Sequence, residues 1–204
     1  MILDPSSQTR RQWIGSSLAA CGYLAAGGLV RAESQEIPVP QGYTQPGPIT
    51  DSGKAPGWRA WSLAEHVDGG KIYAVIFAKG DEVMSGLTEF AERNKITAGH
   101  FTAIGALQSA RFGWFDPAHK AYREIPINQQ VELISLIGDV GLVNGAPQIH
   151  AHGAVGLPDG EVRGGHLLQA IAWPTQEVFF TAHPTTLVKK HDEETDLFLF
   201  DLKT

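Results

Sequence analysis

The stretch Gln148-Ile149-His150-Ala151-His152-Gly153-Ala154-Val155-Gly156-Leu157, followed by Pro158-Asp159-Gly160 and then by Glu161 to Ala182, decides the reading of this chain. Along a strand successive side chains alternate between faces, so His150 and His152 project to one side while Ile149 and Ala151 project to the other. Pro158-Asp159-Gly160 is a strong turn signal, and it folds the chain back so that His166 can lie beside the first two histidines. Gly164 and Gly165, just before His166, allow close backbone approach or a positive φ. Leu167–Trp173 and Gln176–Ala182 continue as apolar, β-prone runs.

The same pattern extends toward the N-terminus. Arg59–Val67 and Lys71–Ala78 read as strands joined by Asp68-Gly69-Gly70, a hairpin signal. Val83, Leu87, Phe90 and Ala91 fall at helical spacing, which predicts an amphipathic helix from Glu82 to Lys95 with Asp81 as its N-cap. His100–Leu107, Ser109–Phe115, Ala121–Ile125, Gln130–Leu136 and Ile137–Leu142 read as strands separated by short turns, and Leu197–Leu202 as the last. Many strands with one clear helix predict an α+β domain, a compact and mostly antiparallel β-sheet carrying one main amphipathic helix. The domain is expected over residues 58–204. Residues 33–57, with five prolines and four glycines and no hydrophobic period, are expected to form an extended, solvated linker.

Ahead of the linker, Arg10-Arg11 precedes an apolar, charge-free run from Trp13 to Val30 that ends in Val30-Arg31-Ala32. A basic start, an apolar stretch and small residues at its end describe an export signal over residues 1–32. The paired arginines resemble a twin-arginine address. Cleavage after Ala32 would leave a periplasmic or secreted protein with no stable membrane span. Leu18-Ala19-Ala20-Cys21 offers the alternative of lipid anchoring through Cys21, the only cysteine of the chain. A single cysteine excludes a disulfide framework and a multi-thiolate zinc site.

Across 204 residues the net charge is −6, with 43% apolar and 19% charged residues. That composition fits one globular domain and argues against nucleic acid as a partner, which calls for a basic face. There is no Walker loop, no dinucleotide-binding glycine fingerprint and no G-x-S-x-G elbow, so several common enzyme classes are excluded.

His150, His152 and His166 are the candidate metal ligands. Three neutral imidazoles with a fourth position open to water form the arrangement of catalytic zinc sites, although histidines on strands are also packed or surface residues, and nickel, copper and iron accept imidazole too. Zinc is the expected ion, and His100 is a further candidate for the same pocket. Glu132 and Glu177, set within apolar strands, either face water or lie buried with a partner. Near a metal they would be candidate catalytic proton carriers. Arg111 and Arg163 are candidate anion clamps or solvated side chains. Trp114, Phe115, Trp173, Phe179 and Phe180 read as core or subunit-interface aromatics.

Ile104-Gly105-Ala106-Leu107, Glu132 to Gly138, Pro147 to His152 and Gly164-Gly165-His166-Leu167 together resemble, in order, the plant- and prokaryote-conserved (PPC) domain, over roughly residues 58–202. The resemblance implies a homotrimer and, for prokaryotic members, a divalent metal on His150, His152 and His166. It also implies a fold similar to acetolactate decarboxylase, a three-histidine zinc enzyme, with metal-dependent activity on a small molecule as the consequence. Plant members join this domain to AT-hooks that bind DNA. The present chain has no Arg-Gly-Arg-Pro hook and is acidic, so the DNA-binding or regulatory role is held as the alternative, beside a non-catalytic oligomerisation or ligand-binding role.

Overall fold

Asn144-Gly145 is the turn about which the central hairpin is built: both residues take positive φ, 51° and 84°, the geometry a tight hairpin needs. In the computed structural model, which describes residues 38–47 and 53–201, this hairpin joins two of ten strands. In chain order these are β1 (Tyr43–Thr44), β2 (Arg59–Glu65), β3 (Lys71–Ala78), β4 (Gly99–Asp116), β5 (Ala121–Ile127), β6 (Val131–Val143), β7 (Ala146–Gly156), β8 (Val162–Ala182), β9 (Lys189–His191) and β10 (Phe198–Phe200). The helix α1 (Val83–Arg93) lies between β3 and β4. The expected export signal, Leu202 and residues 33–37 and 48–52 of the expected linker lie outside the described residues.

Eight strands pair in the order β1-β5-β4-β6-β7-β8-β3-β2, and β9 and β10 form a separate hairpin. Every named ladder is antiparallel, and β4 also pairs with β8. That extra pairing closes β4, β6, β7 and β8 into a ring. Inside it the alternate residues Phe101, Phe112, Leu136, Val140, Ile149, Val155, Leu167, Val178 and Phe180 are buried. Their neighbours Thr102, Ile137, His152 and Phe179 turn outward.

Helix α1 covers the core with Val83, Met84, Leu87, Phe90 and Ala91, all fully buried. Phe90 meets the rings of Tyr73 and Phe180 edge-on, at 5.2 and 5.3 Å between centroids. The close approach is set by Gly86, where a Cβ would stand 2.2 Å from Phe77 Cε1.

Three expectations are corrected by this architecture. The N-cap is Glu82, not Asp81: the Glu82 carboxylate accepts from the N–H groups of Met84 and Ser85, and also from Ala170 on β8. Asp81 instead accepts from Gly57 and Ala78, tightening the turn after β3. Three pairs of expected short strands are single long ones, of 18, 13 and 21 residues for β4, β6 and β8. Their register shifts, such as those at Ala103/Gly105 and Leu107/Ser109 of β4, are bulges that bend a strand without ending it. Finally, part of the stretch read as solvated linker is structured: Tyr43–Thr44 pairs with Tyr122–Arg123 as β1, and Ala55 is fully buried.

Candidate metal centre

Counting back from the Asn144-Gly145 turn pairs Val143 with Ala146 and, in the same register, Asp139 with His150. The next hairpin pairs His152 with His166. Direct cross-strand partners share a face, so β6, β7 and β8 bring Asp139 and three histidines to one outer patch. One ring nitrogen from each of His150, His152 and His166 lies within 4.8 Å of the others. The rings stand 5.0–5.3 Å apart by centroids. Gly164 makes this approach available: a Cβ there would fall 2.1 Å from the Gly153 carbonyl oxygen. Gly165, at φ +152°, sits where a Cβ would press on the Gly113 carbonyl oxygen at 2.7 Å.

The hydrogen bonds fix which atoms are available. His150 Nδ1 lies 3.0 Å from Asp139 Oδ2, and Lys189 Nζ donates to Asp139 Oδ1 at 2.5 Å. Burial pushes the Asp139 carboxyl up, but the hydrogen bonds from His150 and Lys189 outweigh it, and the group stays below its ordinary range. A carboxylate accepts, so His150 donates from Nδ1 and keeps Nε2 free. Lys189 is only 3% exposed and lies over the Phe200 ring, 4.7 Å from its centroid.

Burial and then the neighbouring His150 hold the His152 imidazole below its usual range. His166 is pushed down to about 3 by burial, followed by His150 and His152. Its ring stacks on Tyr122 at 4.3 Å, and its Nδ1 is buried without a hydrogen-bond partner. Imidazoles kept neutral are the form that ligates a metal. A buried ring nitrogen without a partner is a demand that a cation at the focus of three imidazoles would answer. The donor set therefore fits a divalent metal, and the Asp139–His150 pair is the carboxylate–histidine contact that orients such ligands.

Of the remaining sequence candidates for the site, only Arg111 lines the histidine cavity. Glu132 and Glu177 are exposed and do not line the histidine cavity. Each lies on an outward strand position, and the carboxylate beside the histidines is Asp139. His100 meets His183, Nδ1 to Nε2 at 2.9 Å, rather than the three histidines. Arg111 does line the cavity and is paired with Glu124 at 2.8 Å. Arg163 is exposed and reaches Glu161 at 3.5 Å.

Comparison with known proteins places these features among relatives. The model of the Plants and Prokaryotes Conserved (PCC) domain matches residues 64–184. A plant- and prokaryote-conserved protein of Pyrococcus horikoshii is 27% identical, covering 72% of this chain and 97% of that one, with a TM-score of 0.61. A metal-containing protein of Archaeoglobus fulgidus is 32% identical, covering 64% and 93%, with a TM-score of 0.60. A Ralstonia eutropha protein, provisionally named for DNA binding, is 28% identical over 68% and 94%, with a TM-score of 0.61. Among curated proteins there is no match.

Proposed function

This chain belongs to the Plants and Prokaryotes Conserved domain family, and from that premise we infer that it is a metal-binding member holding a divalent cation on His150, His152 and His166. The observation that carries the inference is the convergence of three ring nitrogens within 4.8 Å. The orphaned His166 Nδ1 and the Asp139–His150 hydrogen bond support it. The likeness to a metal-containing archaeal protein points the same way.

Zinc is the ion proposed, since three imidazoles and an open position match its catalytic sites. When bound, such an ion supplies Lewis acidity and a water of lowered pKa. The residues themselves orient and insulate. Asp139 fixes the His150 tautomer, Lys189 fixes Asp139, and Tyr122 holds the His166 ring by stacking. The likeness to acetolactate decarboxylase drawn from the sequence belongs to this proposal, and it makes small carbonyl compounds the first class to screen for turnover.

The protein is further proposed to be a homotrimer, exported to the periplasm or beyond. Exposed Trp61, Ile104, Ile137 and Phe179, each more than half accessible, support assembly through the outer sheet face. The Arg10-Arg11 address supports export. Among the described residues no helix is long and apolar enough to cross a membrane. DNA binding is not adopted, because a net charge of −6 opposes a phosphate backbone.

The test is metal content per chain. Wild-type protein is expected to carry close to one equivalent of zinc after reconstitution, and His150→Ala and His166→Ala to lose it while staying folded by circular dichroism. Unchanged metal content in both variants would end this reading.

A further inference from the structure

The three histidines open into a cavity of about 840 Å³, within the range of small-molecule sites. Two of its walls lie outside the family-matched residues 64–184. One is the segment Thr44–Gly47 that follows β1, and the other is Lys189 with the Phe198–Phe200 strand. Both segments are tied down, the second by the Lys189–Asp139 ion pair and the pairing of Phe198–Phe200 with Lys189–His191. Thr44 donates to Glu124, the partner of Arg111, and Gln148 Nε2 reaches the Gly47 carbonyl at 3.4 Å.

The charges on these walls are distributed unevenly. Lys189 is matched by Asp139 and Arg111 by Glu124. Three neutral imidazoles contribute no negative charge, so a divalent cation on them keeps its full charge at that end of the cavity. The site then selects an anionic oxygen. The remaining wall carries the aromatic residues Trp114, Phe115, Phe198 and Phe200. Trp114 is 51% exposed, with the Arg123 guanidinium 5.4 Å from its ring centroid. Two residues that line the cavity, His166 and Gln148, each carry a buried polar atom without a partner, Nδ1 and Oε1.

We propose that the segments flanking the family-matched residues make the three-histidine centre a selective pocket for a small organic carboxylate bearing a ring-sized apolar body. The carboxylate meets the histidine end, and the apolar body lies on the aromatic wall. This rests on the metal reading above and adds to it the chemical class of the ligand. Phe198 and Trp114 are the specificity-determining residues, and neither is a hydrogen-bond partner of Asp139 or His150.

The experiment loads the full chain with cobalt, measures cobalt content, and follows the visible spectrum while titrating three probes: phenylacetate, acetate and phenylacetamide. Phenylacetate is expected to shift the cobalt bands with at least about tenfold tighter binding than either acetate, which lacks the ring, or phenylacetamide, which lacks the charge. Phe198→Ala, and separately Trp114→Ala, should keep stoichiometric cobalt and the acetate response while erasing the advantage of phenylacetate. Stoichiometric cobalt with phenylacetate no better than acetate or phenylacetamide would overturn the ligand class and leave the metal reading standing. Failure to take up cobalt would overturn both.

Discussion

At the scale of single residues, Asp139 has the most partners at the site, holding His150 on one oxygen and Lys189 on the other. Asp139→Asn keeps the shape but offers an amide where two donors converge. Metal affinity is expected to fall about 10–100-fold, the usual cost of losing an outer-shell acceptor, read by competition with a chromogenic chelator. His166 makes a prediction about the metal-free protein. Its pKa is about 3 in the fold against an ordinary 6.5, so below pH 6.5 the unfolded chain takes a proton that the folded chain refuses. The stability contributed is complete above 6.5 and is lost as pH falls toward 3. Thermal midpoints of apo protein should therefore drop steadily from pH 6.5 to 4, and His166→Gln should flatten that slope. A slope unchanged in the variant would place its origin elsewhere.

At the scale of elements, the histidine geometry depends on the close strand approach at Gly164 and Gly165. Gly164→Ala puts a Cβ against the Gly153 carbonyl, at 2.1 Å before relaxation, and must spread β7 from β8 where His152 faces His166. Overpacking of this kind costs about 1–3 kcal/mol. Denaturant midpoints should fall accordingly and zinc affinity by at least about tenfold, whereas Gly160→Ala, at an open turn position, should leave zinc affinity unchanged. Much at this scale is legible in the sequence. Alternation marks most of the strands and places His150 and His152 together, and the 3.6-residue period marks α1. The strand mergers are not legible, because a bulge and a turn begin with the same small and polar residues, as at Gly105 and at Gln108-Ser109. The role of Asp139 is legible only by treating Asn144-Gly145 as the hairpin pivot and counting outward. Ending one strand at Leu142 and starting the next at Gln148 hides it. Lys189 carries no such signal. Lys189 and Lys190 are adjacent and chemically identical, and only the tertiary fold sends the first lysine inward and the second outward.

At the scale of the whole molecule, the row Phe179, Thr102, Ile137, His152, His166 crosses β8, β4, β6, β7 and the early part of β8 in direct register. The exposed apolar face is therefore continuous with the histidine centre. In the proposed trimer this face is covered. Ile137→Glu, at a position 61% exposed, is expected to leave monomer stability within about 0.5 kcal/mol while shifting sedimentation from trimer to monomer. A monomeric wild type would remove the trimer and leave the metal site untouched.

The pairing of β4 with β8 has a further meaning for durability. An open sheet can fray from its outermost strand, losing a few bonds at a time. A hoop of four strands has no first link to release, and His152 and His166 sit on one of its seams. On the metal reading proposed above, emptying the centre would leave the hoop shut, whereas opening the seam would break it. On that reading the protein would be a container that keeps its form when drained, ready to be refilled without folding again.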